Sequence, residues 1–363
     1  MIEYIYYIIF FFLILRFTVT LFNFISSPKL GRTFTQHQDK VSILIPVRNE
    51  SQRIERLIQS IKNQSYKNYE VILLDDSSSD HSFELISDLI KDIDRFKVVC
   101  GADLPKGWTG KNFACHQLAK QATGRYLLFL DADTMVTAEL VNSIVFRMKV
   151  HRLKLLSIFP NQQMISLGEK TVVPLMHYVL LNLWPLRLVY LSKSAAFSAA
   201  TGQCMVFDAA DYHQHQWHEQ VKHLVVEDVE IMKLIKYQRK RTESLLANGM
   251  LYCHMYESYW DAINGFSKNF FAGFNYSAVS LFSFLLLVIG GPVFVFFTAD
   301  AQLILFMLTL IFLSRIMTSF SAQQNPVYNL ILHPIQMLNM VIISHYTIVR
   351  NLTKTNNWKE RKV

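Results

Sequence analysis

Two carboxylates close an apolar run in Arg125-Tyr126-Leu127-Leu128-Phe129-Leu130-Asp131-Ala132-Asp133-Thr134. An apolar run of this length reads as a buried strand, and in an open α/β sheet the carboxyl ends of the strands are where ligands bind. Asp131 and Asp133 are therefore expected to face solvent, a ligand or a metal ion rather than the core. A divalent cation bridging diphosphate oxygens needs only one or two protein carboxylates. An Asp-x-Asp step is also common in ordinary turns, so its meaning depends on what surrounds it.

Other polar clusters follow apolar runs in the same manner. Pro46-Val47-Arg48-Asn49-Glu50 ends one run and Asp75-Asp76-Ser77-Ser78-Ser79-Asp80 ends another. A short acid can accept from a pyrimidine N3–H, and a neighbouring Asn or Glu can bind a ribose hydroxyl. The glycine-rich stretch Gly107-Trp108-Thr109-Gly110-Lys111 opens a helix, so its amides and Lys111 suit an anion, although it is not a Walker A loop. Lys106 reads as a solvated loop lysine. Glu227 and Asp228 begin a later helix, where acids are common for dipole reasons alone. His213, His215, His218 and His223 read as a wet loop, because the residues between them do not fit a His-metal pattern.

The elements that must carry these groups alternate along the chain. Strands are expected at Val41–Val47, Tyr69–Leu74, Phe96–Val99, Tyr126–Leu130 and Leu155–Phe159. Ile54, Leu57, Ile58 and Ile61, and then Phe83, Ile86, Leu89, Ile90 and Ile93, recur at helical spacing, with Ser51 and Asp80 at N-cap positions. Such alternation predicts an α/β fold with a mostly parallel, Rossmann-like sheet.

The composition adds a membrane. Among 363 residues, 51% are hydrophobic and the formal charge is +8, so apolar spans are expected and the excess of basic residues is simplest to assign to an anionic membrane face, without nucleic acid. Residues 1–25 read as an uncleaved transmembrane anchor. Arg16, Lys29 and Arg32 fall in or after its second half, which puts the next domain in the cytoplasm, with Arg16 reaching towards that face. Thr171–Leu191, broken by Pro174 and Pro185, fits a helix pair in the membrane interface or an ordinary buried helix. Lys236–Arg241 reads as a membrane-facing basic patch. Ser277–Ala299 and Ala301–Phe320 are clear spans, Val327–Val349 is a weaker one, and residues 351–363 form a basic tail with Lys354, Lys359, Arg361 and Lys362. The four cysteines lie far apart and suggest neither a disulfide framework nor a zinc site.

Taken in order, the Pro46–Glu50, Asp75–Ser77, Gly107–Lys111 and Asp131–Asp133 motifs resemble those of family 2 glycosyltransferases with a GT-A fold. The Gly-Trp-x-Gly-Lys loop is similar to that of a membrane-bound branch including carotenoid (diaponeurosporenoate and chlorobactene types), hopanoid and ceramide glycosyltransferases. This resemblance implies a GT-A domain over 40–275, with a nucleotide-sugar half at 40–160, an acceptor half at 161–275 and a C-terminal membrane region at 277–350. It implies that Pro46, Arg48, Asn49, Glu50, Asp76, Lys111 and Asp131 bind the nucleotide sugar. Asp133, with Asp131, would hold Mn2+ or Mg2+, and Asp228 would be the catalytic base of an inverting transfer. Gly202, Gln203, Glu227 and Lys268 fall on the acceptor side, where Lys268 would meet the diphosphate or a lipid headgroup.

The implied enzyme is a multi-pass membrane hexosyltransferase with its catalytic domain in the cytoplasm. It would move one sugar from a UDP-glucose-like donor to a lipid or carotenoid acceptor, in carotenoid or glycolipid biosynthesis, among membrane lipids. Polymerising relatives carry Gln-x-x-Arg-Trp after the base, and this chain does not. A polysaccharide synthase is the alternative enzyme, and an inactive scaffold or flippase component the alternative outside enzymes. Trp358-Lys359-Glu360-Arg361 resembles the close of the carotenoid branch, with Glu360 in place of glycine.

Overall fold

A computed structural model describes residues 2–274, 276–353, 357–358 and 361–362. Lys354, Lys359 and Glu360 of the expected basic tail lie outside these. The chain divides into two compact units. One contains Pro28–Asn161, Leu186–His254 and Asn357–Val363, and the other contains Met1–Ser27, Gln162–Pro185 and Met255–Asn356.

The strands are β1 Val41–Val47, β2 Tyr69–Asp75, β3 Phe96–Cys100, β4 Tyr126–Leu130, β5 Thr134–Val136, β6 Leu155–Phe159, β7 Asn161–Gln162, β8 Cys204–Asp208, β9 Thr242–Leu246 and β10 Leu251–Cys253, with a two-residue pair, Asn357–Trp358 and Arg361–Lys362, near the end of the chain. Seven of them form one sheet in the order β3-β2-β1-β4-β8-β6-β9. Most neighbours run parallel, and β8 alone runs against both of its neighbours, β4 and β6. The expected mostly parallel α/β sheet is therefore present. Since β1, β2 and β4 are parallel neighbours, their carboxyl ends, and with them Arg48, Asp76 and Asp131, stand on one edge of the sheet.

β1, apolar apart from Ser42, and the wholly apolar β4 are buried almost throughout. Helix Ile54–Lys62 buries Ile54, Leu57, Ile58 and Ile61 in the same core, each worth about 1.5–3 kcal/mol of transfer free energy. Ser51 and Asp80 are not the N-caps expected of them. Arg53 and His81 occupy those positions without a side-chain bond. Asp80 acts one residue earlier, accepting from the amides of Ser82 at 3.1 Å and Ser51 at 2.9 Å, so it ties two loops together.

β9 carries Thr242, Glu243 and Ser244, all buried. Burial of Glu243 is tolerated because Arg147 meets its carboxylate with two bonds, at 2.5 and 2.6 Å, and Arg187 stands 3.8 Å away.

The second unit is helical. Ile2–Ser26, Ala278–Thr298 and Ala301–Ala322 are each long and apolar enough to cross a membrane. The weaker third segment is broken at Leu332 into helices Pro326–Ile331 and His333–Thr353. The Thr171–Leu191 stretch forms parts of three helices, Leu167–Val172 and Pro174–Leu183 in this unit and Arg187–Leu191 in the sheet unit. The middle one is buried through Leu175, His177, Tyr178, Leu181 and Asn182, which favours the buried reading for that helix. Arg16 does not reach out of its helix to water: it is buried and donates to Asn182 Oδ1 at 3.2 Å.

Candidate functional site

The centre of the site is Lys111. Helix Gly110–Gln121 starts with Thr109 as N-cap, whose hydroxyl accepts from the Asn112 amide at 3.4 Å. The Thr109 amide donates to the Lys222 carbonyl at 2.7 Å, and the Asn112 side chain donates to the Val221 and Leu224 carbonyls at 2.9 and 3.0 Å. These bonds fasten the glycine-rich loop to the segment that leads into helix Glu227–Tyr237. Lys111 Nζ consequently lies 2.8 Å from Asp131 Oδ1 and 3.5 Å from Glu227 Oε1. The two carboxylates hold the ammonium pKa well above its ordinary value, despite an opposing effect of burial.

Gly202 sits against this pair. A Cβ there would fall 2.9 Å from Lys111 Nζ and 3.0 Å from Glu227 Oε1, so the absence of a side chain is what lets the three approach. Gln203 is next in the chain. Its carbonyl accepts from the Asp131 amide at 3.1 Å, and its side-chain amide donates to Cys253 Sγ at 2.9 Å.

Pairing of β5 with β10 puts Cys253 opposite Thr134 and hence beside Asp133. The Asp133 carboxyl is pushed up to about 7 by burial, with Asp131 and Glu50 adding to the effect and Lys111 and the Cys253 thiol opposing it. Its Oδ1 is buried without a hydrogen-bond partner. Glu227 is likewise pushed up to about 7 by burial, against the pull of Lys111 and with help from Asp228. Burial also raises Asp228, opposed by the Val229 amide, which donates to Asp228 Oδ1 at 2.8 Å.

The first two strand ends are braced against each other. Arg48 donates to the carbonyls of Asp76 and Ser77, the latter at 3.1 Å. The Asn49 amide donates to the Ser78 hydroxyl at 3.0 Å, and Asn49 Oδ1 accepts from the Ser79 amide at 2.8 Å. The Glu50 amide donates to the Ser82 hydroxyl at 2.9 Å. Pro46 lies within β1 opposite Leu74. Asp76 is buried. So is Asp75, whose Oδ2 accepts from the Ser78 amide at 3.1 Å while its Oδ1 is buried with no partner.

Asp131, Lys111, Glu227 and Gly202 are thus brought together directly, with Asp133, Asp228 and Gln203 linked to them. Lys268 belongs to the other unit, in helix Tyr259–Asn269. Lys106 is exposed, as a solvated loop lysine should be. Two residues escape the sequence reading. A lone Cys253 carries no pattern, and only strand pairing brings it to Asp133; Asp75 is overshadowed by Asp76.

Most of the His-rich stretch is helix rather than loop, although His213 and His223 are exposed and His223 lies in the turn that follows. The stretch forms helices Ala209–His215 and Trp217–Gln220, with His218 buried against the Tyr212 hydroxyl at 2.7 Å and His215 stacked on Trp217. Aromatic neighbours supply the contacts that bury His218 and Trp217.

Among the described residues no three His, Cys, Asp or Glu side chains group as a metal site. The acids present nevertheless fit a divalent cation. Asp131 and Asp133 are hard oxygen donors, the buried Oδ1 of Asp133 lacks a partner, and a cation that also binds phosphate oxygens needs no third protein ligand.

Comparison with known proteins agrees with this fold. Residues 42–170 match the model of Glycosyl transferase family 2. The chain is 26% identical over 275 residues to a 4,4'-diaponeurosporenoate glycosyltransferase of Staphylococcus haemolyticus, covering 74% of this chain and 71% of that protein. It is 35% identical over 94 residues to a GalNAc(5)-diNAcBac-PP-undecaprenol beta-1,3-glucosyltransferase of Campylobacter jejuni, covering 26% of this chain and 29% of that protein. Among solved structures, the mannosyltransferase PcManGT from Pyrobaculum calidifontis, in complex with GDP-Man and Mn2+, matches with a TM-score of 0.54 at 13% identity, over 97% of this chain and 100% of that one. Given the sheet, its acidic strand ends and the family match, the chain is a glycosyltransferase carrying a family 2 domain of the GT-A fold.

Proposed function

We propose that this enzyme transfers a single sugar, with inversion, from a nucleotide sugar to a lipid-type acceptor at a membrane. The observation that carries the proposal is the Lys111, Asp131 and Glu227 cluster beside Asp133 and Asp228, on a chain with three helices apolar enough to cross a bilayer. The acceptor oxygen attacks the anomeric carbon, the bond from that carbon to the diphosphate oxygen breaks, and the nucleoside diphosphate leaves. Asp228 takes the acceptor's hydroxyl proton. Glu227, held by Lys111, positions the acceptor, and the absence of a side chain at Gly202 lets the two close on each other.

Lys111 offsets negative charge that grows on the leaving diphosphate. Asp133 and Asp131 would hold a divalent cation, Mn2+ or Mg2+, which when bound neutralises the same diphosphate. Asp75 and Asp76, with the Arg48–Glu50 loop braced against them, bind the nucleoside. The donor we favour is UDP-glucose-like. The first acceptor is a carotenoid alcohol or carboxylate, as the likeness to the diaponeurosporenoate enzyme suggests, and a carboxylate acceptor, already ionised at neutral pH, would need the base less. The enzyme resides in the cell membrane with its catalytic unit in the cytoplasm. Mass spectrometry of lipids from cells with and without the gene tests this: loss of one lipid carrying one hexose is expected, and an unchanged lipid profile would overturn it.

A further inference from the structure

The helical unit buries two arginines that no carboxylate among the described residues answers. Arg16, in Ile2–Ser26, is 4% exposed, and Arg315, in Ala301–Ala322, is 1% exposed. Both belong to helices apolar enough to cross a membrane. Their guanidinium carbons stand 5.1 and 4.4 Å from the centre of one ring, Tyr178.

Neutral groups satisfy only part of them. Arg16 Nη2 donates to Asn182 Oδ1 at 3.2 Å, and Arg315 Nη2 donates to the Asn329 carbonyl at 3.4 Å and to the Gln336 side-chain oxygen. A guanidinium has five N–H donors, and the Nε of each arginine is buried with no partner. Among the described residues no Asp or Glu pairs with either one.

Burying one unpaired cation costs several kcal/mol, and two of like sign around one ring cost more than amide dipoles and a ring face return. A pair of apolar residues would pack such a helix contact at lower cost. The arrangement suits a bound anion, since the guanidinium fork matches the planar oxygens of a carboxylate or the face of a phosphate.

We propose that Arg16 and Arg315 bind the anionic group of a lipid, a phosphate or a carboxylate, inside the helical unit. The site stands on the helical unit alone and holds whether or not the transfer reaction is as described above.

The test uses the full chain, purified in neutral detergent and placed in nanodiscs. One arm measures by native mass spectrometry the retention of phosphatidylglycerol against phosphatidylcholine. The other titrates retinoate against retinol, a polyene carboxylate against its alcohol. The expected result is a preference of about tenfold or more for the anionic member of at least one pair, the size of one charge-assisted hydrogen bond. R16Q and R315Q should each remove it, while R16K, which keeps the charge and loses the fork, retains part.

A preference confined to phosphatidylglycerol identifies a resident phospholipid, and one confined to retinoate identifies an acceptor carboxylate. Equal retention within both pairs by the unaltered protein would overturn the proposal even if the variants fail to fold. So would an unchanged preference in folded R16Q and R315Q. Because the readout is binding, its failure is separable from failure of the transfer reaction.

Discussion

Gly202→Ala adds a methyl group at the tightest point of the site. The new carbon would meet Lys111 Nζ at 2.9 Å and Glu227 Oε1 at 3.0 Å, and Lys111 Cε at 3.8 Å. Both near atoms end flexible side chains, so the ammonium and the carboxylate move apart rather than the backbone. The 3.5 Å approach of Lys111 to Glu227 is lost first, while the 2.8 Å contact with Asp131 is free to adjust. One charge-assisted contact is worth about 1.5–3 kcal/mol, which is about 10–150-fold in kcat/KM if it acts in the transition state. Gly202 lies outside the left-handed backbone region, so alanine adds no strain there, and Tm should change little. The assay is transfer of radiolabelled sugar from the nucleotide to extracted lipid, with Tm measured on the same preparation. The double variant, G202A in an E227Q background, should show a much smaller additional loss, because the contact is already gone. An unchanged kcat/KM in G202A, or a loss equal in both backgrounds, would refute the reasoning.

Other expectations concern charge. With Glu227 pushed up to about 7, its ionised, Lys111-paired form is populated only above that pH. Activity should rise as pH climbs through about 7; Asp133, also pushed up to about 7, shapes the same limb, so E227Q should make it shallower, and an identical limb in E227Q would count against Glu227. D228N should keep donor binding, read by fluorescence titration, and lose transfer to an alcohol acceptor by about 10²-fold or more. D133A should lower turnover by about 10²–10³-fold without unfolding the protein, and a chelator should reproduce the loss in the unaltered enzyme but not deepen it in the variant. R147A leaves Glu243 buried with only Arg187 at 3.8 Å, so stability should fall by about 3–5 kcal/mol in denaturant unfolding.

The parts of the fold that could be read from sequence are those where apolar side chains are contiguous. β1, β4 and β6 begin and end where their apolar runs do, because strands buried on both faces admit few polar residues; the two inside them, Ser42 and Ser157, are buried and hydrogen-bonded. β9 could not be read this way, since Thr242, Glu243 and Ser244 look like surface residues until Arg147 and Arg187 arrive from distant segments. The same holds at the site. Asp131, Asp133 and Lys111 announce themselves as polar groups after apolar runs or glycine turns. Cys253 and the unpartnered oxygen of Asp75 gain meaning only from pairing and burial. Arg16 shows the converse case. Its position in an apolar helix suggests escape to the membrane surface, yet Asn182 and Tyr178 supply buried partners.

The most direct check on the central claim is to incubate the membrane-reconstituted protein with radiolabelled UDP-glucose and a carotenoid-containing lipid extract, then to separate the products by chain length. The account predicts label in one lipid-soluble species bearing a single sugar, formed by the unaltered enzyme and, where the acceptor is an alcohol, not by D228N. A ladder of polymer, or label recovered only as free glucose, would contradict it.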